Sequence, residues 1–292
     1  MSVFTRSPVL GSMRVVCAGH VNWDVTLRVD RLPGPDDEAR VRERSEGGGG
    51  SAANVAAALA TLSCEARLFG SVGDDDVGEM ARSGLEAVGV ETRLNVVEGA
   101  ETTRKYVLVD ADGEVAVLGT DGANEALSAD DVPPAALPDA DAVHLTGQDP
   151  ETAAELARTA ADHGLPVSFD PGRRLTDLSY DAVLERTDLL FVTDREAAEI
   201  HASVPWKVTK HGDSGATLAC PEGRFDHSGY GLSSVDSTGA GDAFAAGFLV
   251  ARLEDGDPDR ALSVANACGA VAANDRGSRP ALSWERVEAV MA

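Results

Sequence analysis

The sequence predicts an α/β fold with a mostly parallel central sheet and a second, smaller β-sheet, and three observations carry that prediction. From Asp141 onward, short apolar runs alternate regularly with helical ones, which is the rhythm of βα units. Four earlier segments, in two pairs, alternate apolar and polar residues with the period of half-buried strands and interrupt that rhythm. Between Asp236 and Asp242 the chain reads Asp-Ser-Thr-Gly-Ala-Gly-Asp and runs into the small, apolar, helix-like stretch from Ala243 to Val250.

Taken in order, residues 1–12 read as an extension, because a strand-like pattern starts only after Met13. Residues 14–19 form a buried first strand ending at Gly19. Asn22-Trp23-Asp24 follows, where the C-terminal end of a parallel strand presents side chains to a ligand. An amide and a carboxylate two apart in an extended segment point the same way and can grip adjacent sugar hydroxyls; two solvated loop residues fit the pattern equally. Residues 25–30 and 39–44 pair around Pro33-Gly34-Pro35, and residues 102–110 and 114–118 pair across Ala111-Asp112-Gly113. These give a small lid sheet from about 24–46 and 101–119. Helices are expected at 51–62 and 77–88, with a strand at 66–70 between them. Further strands fall at 142–146, 166–170, 188–192 and 207–210, and further helices at 151–163, 180–185, 195–201, 257–274 and 283–291. With no repeat and no low-complexity linker, residues 1–292 read as one core domain plus its lid.

A chain of 292 residues with 43% hydrophobic content can bury a sizeable core. Its net charge of −24 disfavours nucleic acid and anionic membrane surfaces as partners. Lysine occurs only at Lys105, Lys207 and Lys210. So much carboxylate with so little lysine points to a salt-rich cytoplasm, where screening removes the self-repulsion. Cys17, Cys64, Cys220 and Cys268 form no Cys-x-x-Cys pair and read as buried thiols in a reducing compartment. The six histidines show no metal-ligand spacing, and His211 sits close to the expected nucleotide side. No signal sequence or membrane-spanning run is present, so a soluble cytoplasmic protein is expected.

The glycine turn carries the chemistry. Gly239 and Gly241 flank Ala240 at a helix start, where bare N–H groups and the positive end of the helix dipole suit an anion. Asp242 stands at the edge of that site, where a carboxylate is ordinarily repelled. It makes sense there if it takes a proton from a hydroxyl that attacks phosphorus; an acidic helix start is the plain alternative. A dinucleotide fingerprint would need glycine where Phe244 stands, and no glycine is followed by lysine as a P-loop requires.

Asp236-Ser237-Thr238-Gly239-Ala240-Gly241-Asp242-Ala243-Phe244 resembles the C-terminal signature of the ribokinase-like (PfkB) carbohydrate kinases. Gly49-Gly50-Ser51-Ala52-Ala53-Asn54-Val55-Ala56 resembles the N-terminal signature of the same family. The resemblance extends over roughly residues 14–291. It implies a three-layer α-β-α ribokinase-like core with a β-sheet lid, and ATP-dependent transfer of a phosphoryl group to a sugar hydroxyl. Asp242 would be the general base, and Gly239, Ala240 and Gly241 would stabilise the group in transfer. Asn22, Asp24, Gly49, Gly50 and Asn54 would bind the sugar, although residues 47–50 alone would also pass for a linker.

On the nucleotide side the resemblance implies Lys210, Gly212, Asp213, Gly215, Thr238 and Asn266, with lysine at 210 where the family commonly has threonine. Glu196 resembles the glutamate of an Asn-x-x-Glu motif that orders Mg²⁺ through water, but Thr193 stands at the asparagine position. Asp236, with the backbone of Thr238 and of the 276–278 turn, resembles a monovalent cation site. ATP, Mg²⁺ and K⁺ are therefore the implied cofactors, and a homodimer through the lid the implied assembly. Only about ten residues separate the Glu196 helix from the next strand, which is short for the family.

The acceptor is read from charge. Arg104-Lys105 on a lid strand and Arg173-Arg174 after Asp170-Pro171-Gly172 stand out in so acidic a chain. Such pairs suit a carboxylate or phosphate on the substrate, and balancing surface charge is the equal alternative. Ribose-like hydroxyls together with an anionic tail point to a pentose phosphate such as ribose 1-phosphate. Ribose, fructose, a sugar acid such as 2-keto-3-deoxygluconate and a nucleoside remain open. A sugar-binding regulator without catalysis is the competing class, although such a protein has no need to keep both base and anion hole.

Overall fold

The computed structural model describes residues 12–176, 178–232 and 234–292. The expected extension lies, except for Ser12, outside the described residues. The chain opens with β1 (Arg14–Ala18), β2 (Asn22–Val29) and β3 (Val41–Gly49), then α1 (Ser51–Thr61), β4 (Glu65–Gly73), α2 (Asp76–Ala87) and β5 (Glu91–Val97). After β6 (Arg104–Val109) and β7 (Val115–Gly119), short 3₁₀ turns lead to β8 (Ala142–Thr146), α3 (Pro150–Asp162), β9 (Val167–Asp170) and α4 (Asp181–Leu184). There follow β10 (Leu189–Thr193), α5 (Asp194–Glu199), β11 (Trp206–Lys210), β12 (Ala216–Cys220) and β13 (Gly223–His227). Three helices close the chain: α6 (Ala240–Glu254), α7 (Pro258–Ala273) and α8 (Trp284–Met291).

The large sheet has the order β13-β12-β11-β10-β9-β8-β1-β4-β5, with every pair parallel from β11 to β5 and the last two strands antiparallel. Its central strands are buried on both faces because both faces are covered. Val15 and Cys17 join the core built with α1, α6 and α7, while Val16 and Ala18 join the core built with α3 and α4. Alternate residues of one strand therefore serve opposite layers, giving helix, sheet and helix in sequence.

The small sheet has the order β3-β2-β6-β7. Its two hairpins are the predicted pairs, and a parallel β2–β6 contact joins them, with Asp24 beside Lys105 in register. β2 begins at Asn22 and β3 runs on to Gly49, pairing Asn22 with Gly49 and Asp24 with Gly47. The glycine run is therefore the end of a strand, held by its ladder, and not a linker.

Three strands escape the sequence pattern. β5 carries Glu91, Thr92, Arg93 and Asn95 and becomes a strand only by pairing with β4 at the sheet edge. β12 and β13 are short and follow β11 by antiparallel pairing, which the βα rhythm does not anticipate. The expected short connection holds, since residues 200–205 alone join α5 to β11.

Candidate active site

α6 begins at the glycine turn. Gly239 caps it in the left-handed region (φ 76°), and a Cβ there would also lie 2.2 Å from the Ser278 carbonyl oxygen. Glycine alone meets both demands. No side chain caps this helix. The Ala240 N–H turns back to the Ser237 carbonyl at 3.2 Å, so the Gly241 end of the turn is the part left to an anion.

Asp242 lies in the first helical turn, and its Oδ2 accepts a hydrogen bond from Asn54 Nδ2 at 2.8 Å. Burial pushes its carboxyl up to about 7, and the Asn54 bond works against that rise. The negative charge of Asp170 adds to the rise, and Lys210 opposes it. A carboxylate poised near neutrality is what a general base needs.

Asn22, Asp24, Gly49, Gly50 and Asn54 converge from β2, β3 and α1. A Cβ on Gly49 would lie 2.2 Å from the Asp24 carboxylate, and one on Gly50 2.3 Å from the His20 carbonyl, so both glycines mark close approaches. Asp24 Oδ1 and Asn22 Nδ2 are enclosed and have no hydrogen-bond partner. An acceptor oxygen and a donor nitrogen left unsatisfied on one strand face fit a hydroxylated ligand. Burial raises the Asp24 carboxyl, and the charge of Lys105 opposes that rise.

The two basic pairs divide. Lys105 faces the cleft: burial lowers its ammonium, the charges of Asp24 and Asp242 raise it, and those of Arg173 and Arg174 lower it again. Arg104, its neighbour on the strand, turns to Glu101 (3.2 Å) and Asp75 (3.6 Å). Of this pair, therefore, Lys105 lies beside Asp24 and Arg104 on the opposite strand face, as strand alternation requires. Arg174 donates to Glu125 at 2.5 Å and lies 3.2 Å from His20 Nε2, while Arg173 is exposed.

On the other side of the glycine turn, a cavity of about 270 Å³ is lined by Lys210, Gly212, Asp213, Gly215, Gly241 and Asn266, among others. Lys210 Nζ donates to Asp170 Oδ2 at 2.7 Å and would be 3.4 Å from a Cβ on Gly241, which puts a fixed cation beside the anion turn. The Asn266 amide donates to its own helix, at Leu262 O. His211 points elsewhere, to Asp194 and Thr217 at 2.8 and 3.0 Å. A more open groove, about 720 Å³, lies over β4, β5 and α2. Its Arg67, Arg82 and Arg93 are each paired with glutamate, and it holds none of the predicted site residues.

Glu196 Oε2 accepts the Thr193 N–H at 2.7 Å, and the Thr193 hydroxyl accepts the Glu196 N–H at 3.4 Å. Thr193 thus works as the N-cap of α5 in a capping box. Asp236 accepts from Thr238 N at 3.0 Å and Gly277 N at 3.2 Å, N–H donors that hold its carboxylate at the glycine turn.

Sequence reading missed several residues here. Arg279 donates to Asn54 Oδ1 and to Gly49 O at 3.2 and 3.1 Å. Asn124 donates to the Asn22 side chain from a 3₁₀ turn, and its neighbour Glu125 holds Arg174. Asp170 anchors Lys210. None belongs to a signature, although Asp170 ends an apolar strand, the place where a polar residue in a parallel sheet most often serves a ligand.

The pfkB family carbohydrate kinase profile matches residues 12–285. The chain belongs to that family. As a pfkB kinase it is a phosphotransferase with an alcohol group as acceptor. It is 51% identical over 290 residues to the ATP-dependent ribose-1-phosphate kinase of Halopiger xanaduensis, covering 96% of this chain and 98% of that one. It is 27% identical to a nucleoside kinase of Methanothermobacter thermautotrophicus, over 91% of each chain. Among solved structures, Methanocaldococcus jannaschii nucleoside kinase matches with a TM-score of 0.84 at 23% identity, over 96% of this kinase and 99% of that chain. Arabidopsis thaliana ribokinase complexed with ribose and ATP matches with a TM-score of 0.82 at 24% identity, over 97% and 99%. At such identities the structures show the ribokinase fold, large parallel sheet and small second sheet together.

Proposed function

We infer that this pfkB kinase transfers the terminal phosphoryl group of ATP to a hydroxyl of ribose 1-phosphate. The observation that carries the acceptor is Lys105, a half-buried ammonium beside Asp24 in register, in a chain with three lysines. A neutral sugar offers this ammonium hydroxyl acceptors only, whereas a phosphate on the sugar offers it a charge-assisted pair. The 51% identity to the Halopiger enzyme supports the same acceptor.

In this reading Asn22 and Asp24 hold ribose hydroxyls, and Asn54 with Gly49 and Gly50 closes the sugar against Asp242. Asp242 takes the proton of the attacking hydroxyl, whose oxygen forms the new bond to phosphorus while the β,γ-bridging oxygen leaves with ADP. The Gly239–Gly241 turn and Lys210 meet the charge on the group in transfer. Gly212, Asp213, Gly215, Thr238 and Asn266 serve the nucleotide. Lys105, with Arg173 and Arg174, faces the acceptor's phosphate.

Among the described residues no cluster of three or more metal-ligating side chains exists. The donor set therefore fits Mg²⁺ only as an ion carried by phosphate oxygens and water, with Glu196 reached through water. When bound, that ion neutralises phosphate charge. K⁺ beside Asp236 rests on the resemblance of this turn to the family's monovalent cation site. Exposed Val41, Val115, Val117 and Leu118 on the small sheet support a homodimer through the lid. No helix among the described residues is long and apolar enough to cross a membrane, and a cytoplasmic location is the reading that suits ATP and free thiols.

The test is an acceptor screen with purified protein, ATP and Mg²⁺. Ribose 1-phosphate should exceed ribose, fructose, 2-keto-3-deoxygluconate and nucleosides in kcat/KM by at least tenfold, with phosphorus NMR showing a ribose bisphosphate. Comparable or better turnover of any neutral acceptor would overturn the assignment.

A further inference from the structure

Arg279 belongs to neither signature, yet it reaches the centre of the site. Its guanidinium donates Nε–H to Asn54 Oδ1 at 3.2 Å and a second N–H to Gly49 O at 3.1 Å. The Asn54 amide in turn donates Nδ2–H to Asp242 Oδ2 at 2.8 Å. The chain has made room for this side chain, because a Cβ on Gly48 would lie 2.3 Å from the Arg279 NH1 nitrogen. Burial pulls the guanidinium down to about 10, with the charges of Asp24 and Asp242 opposing that fall.

The chemistry of the three groups admits one arrangement. A guanidinium only donates, so the atom of Asn54 facing it must be the carbonyl oxygen. The amide nitrogen is thereby turned to Asp242, where its N–H favours the ionised carboxylate over the acid. We propose that Arg279 is a positioning residue that fixes the Asn54 amide with its N–H toward Asp242, favouring the ionised base, with Oδ2 occupied and Oδ1 left for the acceptor hydroxyl. Gly48 belongs to the same device, since any side chain there displaces the guanidinium.

Without Arg279 the amide is free to turn. Its oxygen then faces Asp242 and favours the protonated acid, which cannot accept the hydroxyl proton. The other charged groups around Asp242 are Asp170 from β9, Lys210 from β11, Asp24 from β2 and Lys105 from β6. None of them contacts Asn54 among the described hydrogen bonds, so none sets its orientation.

The inference rests on Asp242 as the base, and a double-mutant cycle between Arg279 and Asn54 tests it. Arg279→Met should lower kcat at least tenfold with acceptor KM within threefold, and move the acid limb of the pH–rate profile upward. Asn54→Ala should lower kcat as well, and the Arg279→Met/Asn54→Ala double variant should be within twofold of Asn54→Ala alone. Losses that multiply in the double variant, or an Arg279→Met enzyme within twofold of wild type, would overturn the proposal. Arg279→Lys keeps the charge without the fork and should leave the acid limb raised; a wild-type limb would show that charge alone matters and overturn the relay. Should Arg279→Met fail to fold, Gly48→Ala displaces the guanidinium instead and should raise the limb likewise, an unmoved limb counting against the device. Asp242→Asn in the same assay separates failure of the base from failure of the relay.

Discussion

Asp242 is a carboxylate held where burial and Asp170 favour its acid form, and Asn54 favours its base form. Asp242→Asn keeps the shape and removes the proton acceptor. The loss should fall on kcat, by roughly 10³-fold, with acceptor KM changed only a few-fold. In the wild type, kcat/KM should rise with pH through a pKa near 7, the value to which Asp242 is raised. The same shift has a sign for stability. A carboxyl raised from 3.8 to about 7 binds its proton more tightly in the folded chain, so its contribution is full below 3.8 and lost as pH rises through 7. Asp242→Asn should therefore melt higher than wild type at pH 8, and the gap should narrow as pH falls below 7 and close only below about 3.8 in calorimetry. Lys210 and Asp170 form the opposite case, a mostly buried pair at 2.7 Å. Lys210→Met strands the Asp170 charge and should cost about 3 kcal/mol in denaturant unfolding, part of which Asp170→Asn restores.

β6 shows how an element sorts its residues. Arg104 and Lys105 are neighbours in sequence and equal in charge, but strand alternation sends them to opposite faces. Lys105 meets Asp24 across the β2–β6 ladder, whereas Arg104 reaches Asp75, the N-cap of α2. Lys105→Ala should raise KM for ribose 1-phosphate at least tenfold and leave KM for ATP within twofold. Arg104→Ala should leave both KM values near wild type. Steady-state kinetics with each substrate varied in turn decides between them, and equal effects of the two variants would remove the ground for an anionic acceptor. The hairpin partners of β6 and β2 were legible because turn residues and alternation coincide. That Lys105 would stand beside Asp24 was not, because the ladder joining β2 to β6 spans most of a hundred residues of chain.

Across the molecule, a net charge of −24 repels itself in dilute buffer. Raising salt from about 0.15 M to about 1 M shortens the screening length from roughly 8 to roughly 3 Å. The melting temperature should therefore climb with KCl and with NaCl alike. Activity should be higher in KCl than in NaCl at equal ionic strength if the cation site beside Asp236 selects K⁺. Equal rates in the two salts would sink that selectivity and leave the screening argument intact.

The α/β architecture, the paired lid strands, the glycine turn and Asp242 could all be read along the chain. Each depends on residues close together: period two, period 3.6, or a run of small residues at a helix start. Asn22 and Asp24 were readable from their spacing after the first strand and Asn54 from the signature that contains it, but not their convergence on one site. Arg279, Asn124 and Glu125 left no such trace, and Asp170 only its place at the end of an apolar strand. Arg279 reaches Asn54 from 225 residues away in sequence, and Asn124 reaches Asn22 from 102. Contacts of that span are set by sheet order and helix packing, so the side chains that orient the site were decided only when the chain closed on itself.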